Sequence, residues 1–433
     1  MNRKFAKIAA STLLIAGLMA PTLSVHAAAN TKAHVKVRVV GPNGFQKQEF
    51  LEVGNESYKN ASGESIAMDK PTVMGALVDI AAQEGFDYSA NSTQYGVYVT
   101  KINGAAEKTI NKNTAWLAWL NGKSLDVSAD ATELHDGDEV VWGFTDFTQT
   151  LYPKVEFSTT HPQVGEEFTV KVTAEKTTYD EKWNATTTVV PIEGASLMTV
   201  NADEAEFVTD KDGVAHVKLD DIGLVTLNLD KIDPETRLPL IIRSGDLNVL
   251  VGNAGYGFSD AETFHWAESE INWFGKNALA VGDGTNHFEP GRPVTRAELA
   301  KFVALLGDLN LGGAQTFPDV VSHSPYNKFI QTTSRLGLMS GDAEGTFRPD
   351  APVTREELAV VLGRYGKLQP ATAPHLSFTD QAEVSGYAAG YVQTLVDQGY
   401  LHGDAEGTFR PQAPAIRAEV AKVLATVYKA NQK

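Results

Sequence analysis

The stretch Gly341-Asp342-Ala343-Glu344-Gly345-Thr346-Phe347-Arg348-Pro349, followed by Thr354-Arg355-Glu356-Glu357, decides how this chain is read. It recurs as Gly403-Asp404-Ala405-Glu406-Gly407-Thr408-Phe409-Arg410-Pro411 with Ile416-Arg417-Ala418-Glu419. A more divergent copy is Gly282-Asp283-Gly284-Thr285-Asn286-His287-Phe288-Glu289-Pro290 with Thr295-Arg296-Ala297-Glu298. Each copy is preceded by a Phe-x-Asp triplet: Phe258-Ser259-Asp260, Phe317-Pro318-Asp319 and Phe378-Thr379-Asp380. Repetition on this scale marks a unit that cannot bury its apolar face alone and stacks on its neighbours. After each tetrad the apolar residues fall on one helical face: Leu299, Phe302, Val303, Leu306; Leu358, Val361, Leu362, Tyr365; and Val420, Val423, Leu424, Val427. Each unit therefore reads as helix, tight loop, helix, over residues 258–308, 317–367 and 378–429. The second helices are expected to pack around a shared axis.

The tetrads have a local explanation. Thr295 and Glu298 are spaced as a reciprocal capping box, and Val294 with Leu299 as a hydrophobic staple. Thr354, Glu357, Val353 and Leu358 repeat the arrangement. Arg296 and Arg355 then occupy the first helical turn, where the helix dipole disfavours a cation. A charge placed against that preference suggests a guest anion, because helix N-termini and arginine side chains both bind carboxylates. In the third copy Ile416 cannot cap and Ala415 is a feeble staple, a loss of about 1 kcal/mol at that helix start.

The three units resemble the S-layer homology domain, over residues 258 to about 428. The resemblance implies an all-α, pseudo-threefold helix bundle whose grooves bind a secondary cell wall polysaccharide, often one bearing pyruvate ketals. It also implies a place on the cell wall at the surface of a bacterium of Gram-positive type. Carried over to matching positions, it assigns Arg296, Arg355 and Arg417 to the grooves, with Asp283, Asp342 and Asp404 of the Gly-Asp loops beside them. A second reading of these aspartates is that they only form the turn. The uncapped third copy makes its groove the weakest of the three. The loops lack the alternating oxygen ligands of a calcium site, and no metal is expected.

At the other end, Arg3, Lys4 and Lys7 precede an apolar run from Ile8 to Val25 and the small residues Ala27, Ala28 and Ala29. This is the pattern of a secretory signal peptide over residues 1–28, cleaved after Ala27 or Ala28. No later run reaches the roughly 18 apolar residues of a span, so no membrane partner is expected after cleavage. Its removal leaves 34 basic against 54 acidic side chains, a net charge of −20, which argues against nucleic acid as a partner. The same charge opposes diffuse attraction to anionic wall polymers, so attachment needs local cationic pockets. The absence of cysteine excludes disulfides and thiolate metal sites.

Two β-rich domains are expected between these ends. Residues 33–152 open with the alternating His34-Val35-Lys36-Val37-Arg38-Val39-Val40, continue with a helix from Thr72 to Glu84 stopped by Gly85, and carry an Asn121-Gly122 hairpin turn after Trp116-Leu117-Ala118-Trp119-Leu120. This α+β segment resembles the β-rich C-terminal domain of transcobalamin and intrinsic factor, which implies binding of a corrinoid or another small ligand. Trp116 and Trp119 are three apart on a strand and face opposite sides. One of them is then a surface platform for a planar ligand, or packs against a neighbouring domain. Residues 153–250 read as strands and turns throughout and resemble the immunoglobulin-like sandwiches of bacterial surface proteins. There Asp210 and Asp212 form a turn or hold a cation, the turn being the simpler role.

These readings point to a wall-anchored surface protein: the repeats hold, the sandwich spaces, and the N-terminal domain binds a ligand or assembles with neighbours. Capture of a corrinoid and wall-tethered processing of polysaccharide are the alternatives. The ten histidines are scattered, and neither His-Glu-x-x-His nor Gly-x-Ser-x-Gly occurs. The two N-terminal domains are small for a glycosidase cleft. No catalytic residue and no cofactor are expected.

Overall fold

The computed structural model describes residues 32–182, 184–200, 206–280, 286–307 and 309–432. The signal-peptide segment 1–28 and Asp283 lie outside the described residues.

The N-terminal domain comprises β1 (Ala33–Val40), β2 (Gln46–Val53), the short pair β3 (Ser57–Lys59) and β4 (Ser65–Ala67), α1 (Val73–Glu84), the meander β5 (Tyr88–Thr93), β6 (Gly96–Ile102) and β7 (Ala105–Ala106), then β8 (Thr114–Leu120), β9 (Lys123–Ser124) and β10 (Glu139–Asp146). Its main sheet has the order β2-β1-β10-β8-β9, antiparallel except for the parallel pair of β1 and β10. The alternation on β1 sends Val35, Val37 and Val39 into the core under α1, while Lys36 and Arg38 face the other domains. α1 begins where expected: Thr72 Oγ1 accepts from the Gly75 amide at 3.1 Å, and Gly85 ends the helix at φ 70°. Asn121 and Gly122 both take positive φ, 52° and 77°, as a type I′ hairpin turn requires.

The middle domain is two sheets on one core. β12 (Glu167–Tyr179) pairs with β11 (Pro153–Phe157) along one edge and with β13 (Ala185–Pro191) and β16 (Val214–Lys218) along the other. The facing sheet has β14 (Ser196–Thr199) between β15 (Phe207–Val208) and β17 (Gly223–Ile232), with β18 (Pro239–Ile241) and β19 (Leu247–Val251) also on β17. Val170, Val172, Leu197, Leu227 and Leu229 fill the space between. Asp210 Oδ1 accepts from the amides of Asp212 and Val214, both at 2.9 Å, which is the turn-forming role.

The C-terminal third is helical: α2 (Glu268–Lys276), α3 (Arg296–Gly307), α4 (Asn327–Arg335), α5 (Arg355–Tyr365), α6 (Gly386–Asp397) and α7 (Arg417–Asn431). One apolar core runs through all three repeats and takes in Leu250 of the middle domain. The second helix of each repeat lies against the first helix of the next, α3 on α4 and α5 on α6, and α7 closes the ring on α2. A two-helix unit therefore completes its buried face with its neighbour's helix.

Close joints link the three domains. Ile242 of the middle domain packs with Val40, Trp119 and Val141, and a Cβ on Gly143 would stand 2.5 Å from its side chain. Phe50 of the N-terminal sheet lies against Gly312, whose missing Cβ would meet its ring at 2.8 Å, and Arg335 stacks over the same ring at 5.3 Å. A cavity of about 650 Å³ sits where the domains meet, bordered by Lys36, Arg38, Glu139, Tyr152 and His161.

On α1, Asp79 Oδ2 is buried without a hydrogen-bond partner among the described residues. Burial, helped by Glu56, pushes its carboxyl up to about 7. The folded chain therefore keeps this proton over a range in which the unfolded chain, with a value of about 3.9, has lost it, so stability falls as pH rises between the two. Asp79→Asn, neutral throughout, is expected to melt above the wild type near pH 8, with the gap narrowing towards about pH 4 in calorimetric scans.

Candidate functional site

The second-helix starts of the three repeats meet in a closed circuit of backbone hydrogen bonds. The amide of Val294 donates to Ala415 O at 3.0 Å, that of Ala415 to Val353 O at 2.8 Å, and that of Val353 to Val294 O at 2.9 Å. At the first helical position the Arg296, Arg355 and Arg417 amides donate to Ala351, Ala413 and Arg292 O. At the next position Ala297, Glu356 and Ala418 donate to Pro349, Pro411 and Pro290 O. Glu298 and Glu357 donate their amides to Thr295 and Thr354 Oγ1, both at 3.2 Å, and their carboxylates accept from the Thr295 and Thr354 amides. The third start keeps half the box, the Ile416 amide donating to Glu419 at 3.0 Å. At the first two starts the amides of the first helical turn are thus taken by backbone carbonyls and the capping threonines, and at the third those of Arg417 and Ala418 are taken likewise, which leaves little room for the guest anion inferred from arginine in the first turn.

The anion that answers each arginine belongs to the next repeat. Arg296 Nε donates to Phe347 O at 2.7 Å, Nη2 to Ser340 O at 2.8 Å, and Nη1 reaches Glu357 at 3.5 Å. Arg355 makes the same contacts to Phe409 O, His402 O and Glu419, and Arg417 donates to Phe288 O at 2.7 Å and Glu298 at 3.3 Å. Each guanidinium lies over the ring of the same phenylalanine, at 4.8, 5.1 and 4.4 Å. All three arginines are buried. Arg296 and Arg355 form the floors of the two grooves with all three guanidinium nitrogens bonded, and Arg417 is seated on Phe288 and Glu298 in the same way despite the missing cap.

The second and third Gly-Asp loops are built by two aspartates each. Asp342 accepts from Thr346 N at 2.9 Å and Oγ1 at 2.7 Å, and Asp404 from Thr408 in the same way, which is the turn-forming role. Each also pairs with the arginine at the groove mouth, Asp342 with Arg348 at 3.3 Å and Asp404 with Arg410 at 3.2 Å. Residues not assigned from sequence do the rest. Asp319 accepts from the amides of Phe347 and Arg348, Asp380 from Phe409 and Arg410, and Asp260 from Phe288 and Glu289. The signal for them was the Phe-x-Asp triplet. They hold Glu289, Arg348 and Arg410 at φ 58°, 57° and 55°, left-handed conformations that non-glycine residues adopt at a cost of about 1–3 kcal/mol.

Two grooves are fully described. The first, about 330 Å³, is bordered by Arg296, Asp342, Arg348, Glu357 and Tyr387. The second, about 340 Å³, is bordered by Trp266, Arg355, Asp404, Arg410 and Lys422. Each combines a floor arginine from one repeat, a loop from the next, and an aromatic ring from the remaining one. In the first groove the Tyr387 hydroxyl donates to Glu356 at 3.0 Å, and Ser385 and Gln412 donate to the same buried carboxylate. Burial raises the Glu356 carboxyl, but these hydrogen bonds outweigh it and hold it below its usual range.

The tryptophans do face opposite sides of their strand, but neither is a ligand platform. Trp116 lies in the N-terminal core against Phe144, its Nε1 donating to Ala105 O at 2.8 Å. Trp119 is covered by Ile242 and Tyr152 at the joint with the middle domain. Both sheet faces are occupied, so neither ring is free for a corrinoid or sugar.

Removing a floor arginine would take the donor from a buried backbone carbonyl of the next repeat and one cation from its capping glutamate. Arg296→Ala, Arg355→Ala and Arg417→Ala are each expected to destabilise the helical third by about 3 kcal/mol, with Arg417 ranking with the others, in urea melts followed by circular dichroism.

Comparison with known families bears on these observations. The S-layer homology domain model matches residues 257–300, 316–359 and 377–421, and a domain of unknown function, DUF4430, matches residues 71–146. The chain is 37% identical over 142 residues to a cellulosome-anchoring protein of Acetivibrio thermocellus, covering 30% of this chain and 31% of that one. It is 27% identical over 183 residues to an S-layer protein of Bacillus thuringiensis subsp. finitimus, covering 41% and 22% respectively. The matches thus span under a third of these relatives' length. The structure of haptocorrin in complex with Cbi aligns with 27% of this chain and 26% of that chain at 18% identity and a TM-score of 0.19. Residues 257–421 hold three S-layer homology domains, residues 71–146 match DUF4430, and the chain is a cell-surface protein anchored to the cell wall.

Proposed function

We propose that the grooves of the repeat bundle, a pseudo-threefold arrangement, bind an acidic secondary cell wall polysaccharide. On this reading the immunoglobulin-like sandwich spaces the N-terminal domain from the wall, and the chain works by binding rather than by catalysis. One observation carries the reading. Arg348 and Arg410 stand at the groove mouths with side chains 49% and 53% exposed, in a strained conformation that the bundle holds in place. Strain kept at an exposed cation that packs no core fits a ligand contact better than a structural one. Tyr387 and Trp266 offer ring faces beside those cations, the pairing that saccharide acids use. The cations are local, so an acidic chain can still approach an anionic polymer there.

Sedimentation with purified wall sacculi tests this. The signal-cleaved chain is expected to pellet with sacculi, and a chain ending at residue 252 is expected to stay in solution. Arg348→Ala and Arg410→Ala are each expected to weaken binding about tenfold with the melting temperature little changed, since a charge-assisted contact is lost and no core is touched. Retention of the truncated chain, or full-strength binding by the double variant, would sink the proposal.

A further inference from the structure

The cavity of about 650 Å³ where the three domains meet shares no lining residue with either of the repeat grooves described above. Its volume falls within the range of about 300–1,000 Å³ usual for small-molecule sites, which favour domain interfaces. Phe50 of the N-terminal sheet, Phe157 and Leu247 of the middle domain, and Leu305 and Leu309 on the side of the repeats give it apolar walls.

Most of the charged groups on those walls already have partners. Arg38 donates from Nε to Glu139 at 3.1 Å, from Nη1 to Arg243 O at 2.6 Å and from Nη2 to the Tyr152 hydroxyl at 3.2 Å. Lys154 pairs with Glu156 at 2.7 Å, His34 with Asp136 at 3.0 Å, and Arg335 donates to Gly312 O at 2.9 Å. Lys36 and Asp246 are different. The Lys36 side chain, 11% exposed, donates to the neutral Asn310 side chain at 3.0 Å. Its nearest carboxylate, Glu139 at 3.6 Å, is one that Arg38 and Tyr152 already hold. Asp246 makes no hydrogen bond or ion pair among the described residues. The two lie close in the fold, since the Cβ that Gly245 lacks would stand 3.3 Å from Lys36 Nζ and Asp246 is the next residue. They nonetheless stand further apart than an ion pair. Burial pushes the Lys36 ammonium below its usual range; Glu139 opposes this, Arg38 adds to it, and Asp246 opposes it from a distance.

Opposite charges that face one partly dry cavity without meeting are costly unless another molecule bridges them. A carboxylate set on Lys36 and an ammonium set on Asp246 would answer both, with the apolar walls taking the rest of the molecule. We propose that this cavity binds a small apolar zwitterion, a free amino acid or dipeptide with aliphatic or aromatic side chains, Lys36 receiving its carboxylate and Asp246 its ammonium. The site does not depend on the wall-binding reading. It places small-ligand binding at the joint between domains, away from Trp116 and Trp119.

Calorimetric titration and melting curves on the signal-cleaved full chain test this. The probes are leucine and leucyl-leucine, with N-acetyl-leucine and leucinamide as analogues that each lack one of the two charges. The wild type is expected to bind at least one probe about tenfold more tightly than either analogue, and to melt at a higher temperature in its presence. Asp246→Asn, which breaks no contact of the fold, is expected to lose about tenfold in affinity for that probe and nothing for N-acetyl-leucine, which brings no ammonium. Lys36→Met is expected to lose about tenfold for the probe and nothing for leucinamide, which brings no carboxylate. Equal losses for probe and analogue would overturn the assignment by making the two residues structural. A wild type that binds all four compounds alike overturns it as well. Binding of neither probe leaves the cavity to water and overturns the proposal outright.

Discussion

Arg296, Arg355 and Arg417 each leave their own repeat and close on the next, over a buried phenylalanine ring, onto its carbonyl and onto a capping glutamate. The links run from first repeat to second, second to third, and third back to first. An acyclic pair of repeats would leave one arginine and one glutamate buried without partners, and breaking such a pair costs several kcal/mol. The circuit of amides from Val294, Val353 and Ala415 imposes the same closure on the backbone. Three units thus close the arginine–glutamate links and the backbone hydrogen bonds at the centre on one another.

The grooves follow from that closure. A floor arginine, a loop carrying a mouth cation, and an aromatic ring come from three different repeats, so each groove exists only in the assembled ring. The Phe-x-Asp aspartate ties each loop to its own repeat's opening and fixes the mouth residue at positive φ. With the floor arginines bonded to carbonyls and glutamates, the exposed groups of the two described grooves are the mouth arginines and the Tyr387 and Trp266 rings.

The N-terminal sheet is covered on both faces, by α1 on one and by the middle domain and the repeats on the other. Ile242 seated at Gly143 and Phe50 seated at Gly312 are contacts that any larger side chain at those glycines would push apart. The N-terminal domain is therefore held in a set position against the middle domain and the repeats.

Repeat boundaries, the apolar helix faces, the capping boxes at Thr295 and Thr354, the α1 caps and the Asn121-Gly122 turn were all legible in the chain, because each depends on residues a few positions apart. The opposite facing of Trp116 and Trp119 was legible for the same reason. What covers each tryptophan was not, since Phe144 and Ile242 lie far away in sequence. Nor was the partner of the motif arginines. A first-turn cation looks locally as if it awaits a guest, and only the ring places Glu357, Glu419 and Glu298 against it, 61, 64 and 119 residues away. Local spacing determined which elements form; closure of three repeats on one another decided which charges are spent on the fold.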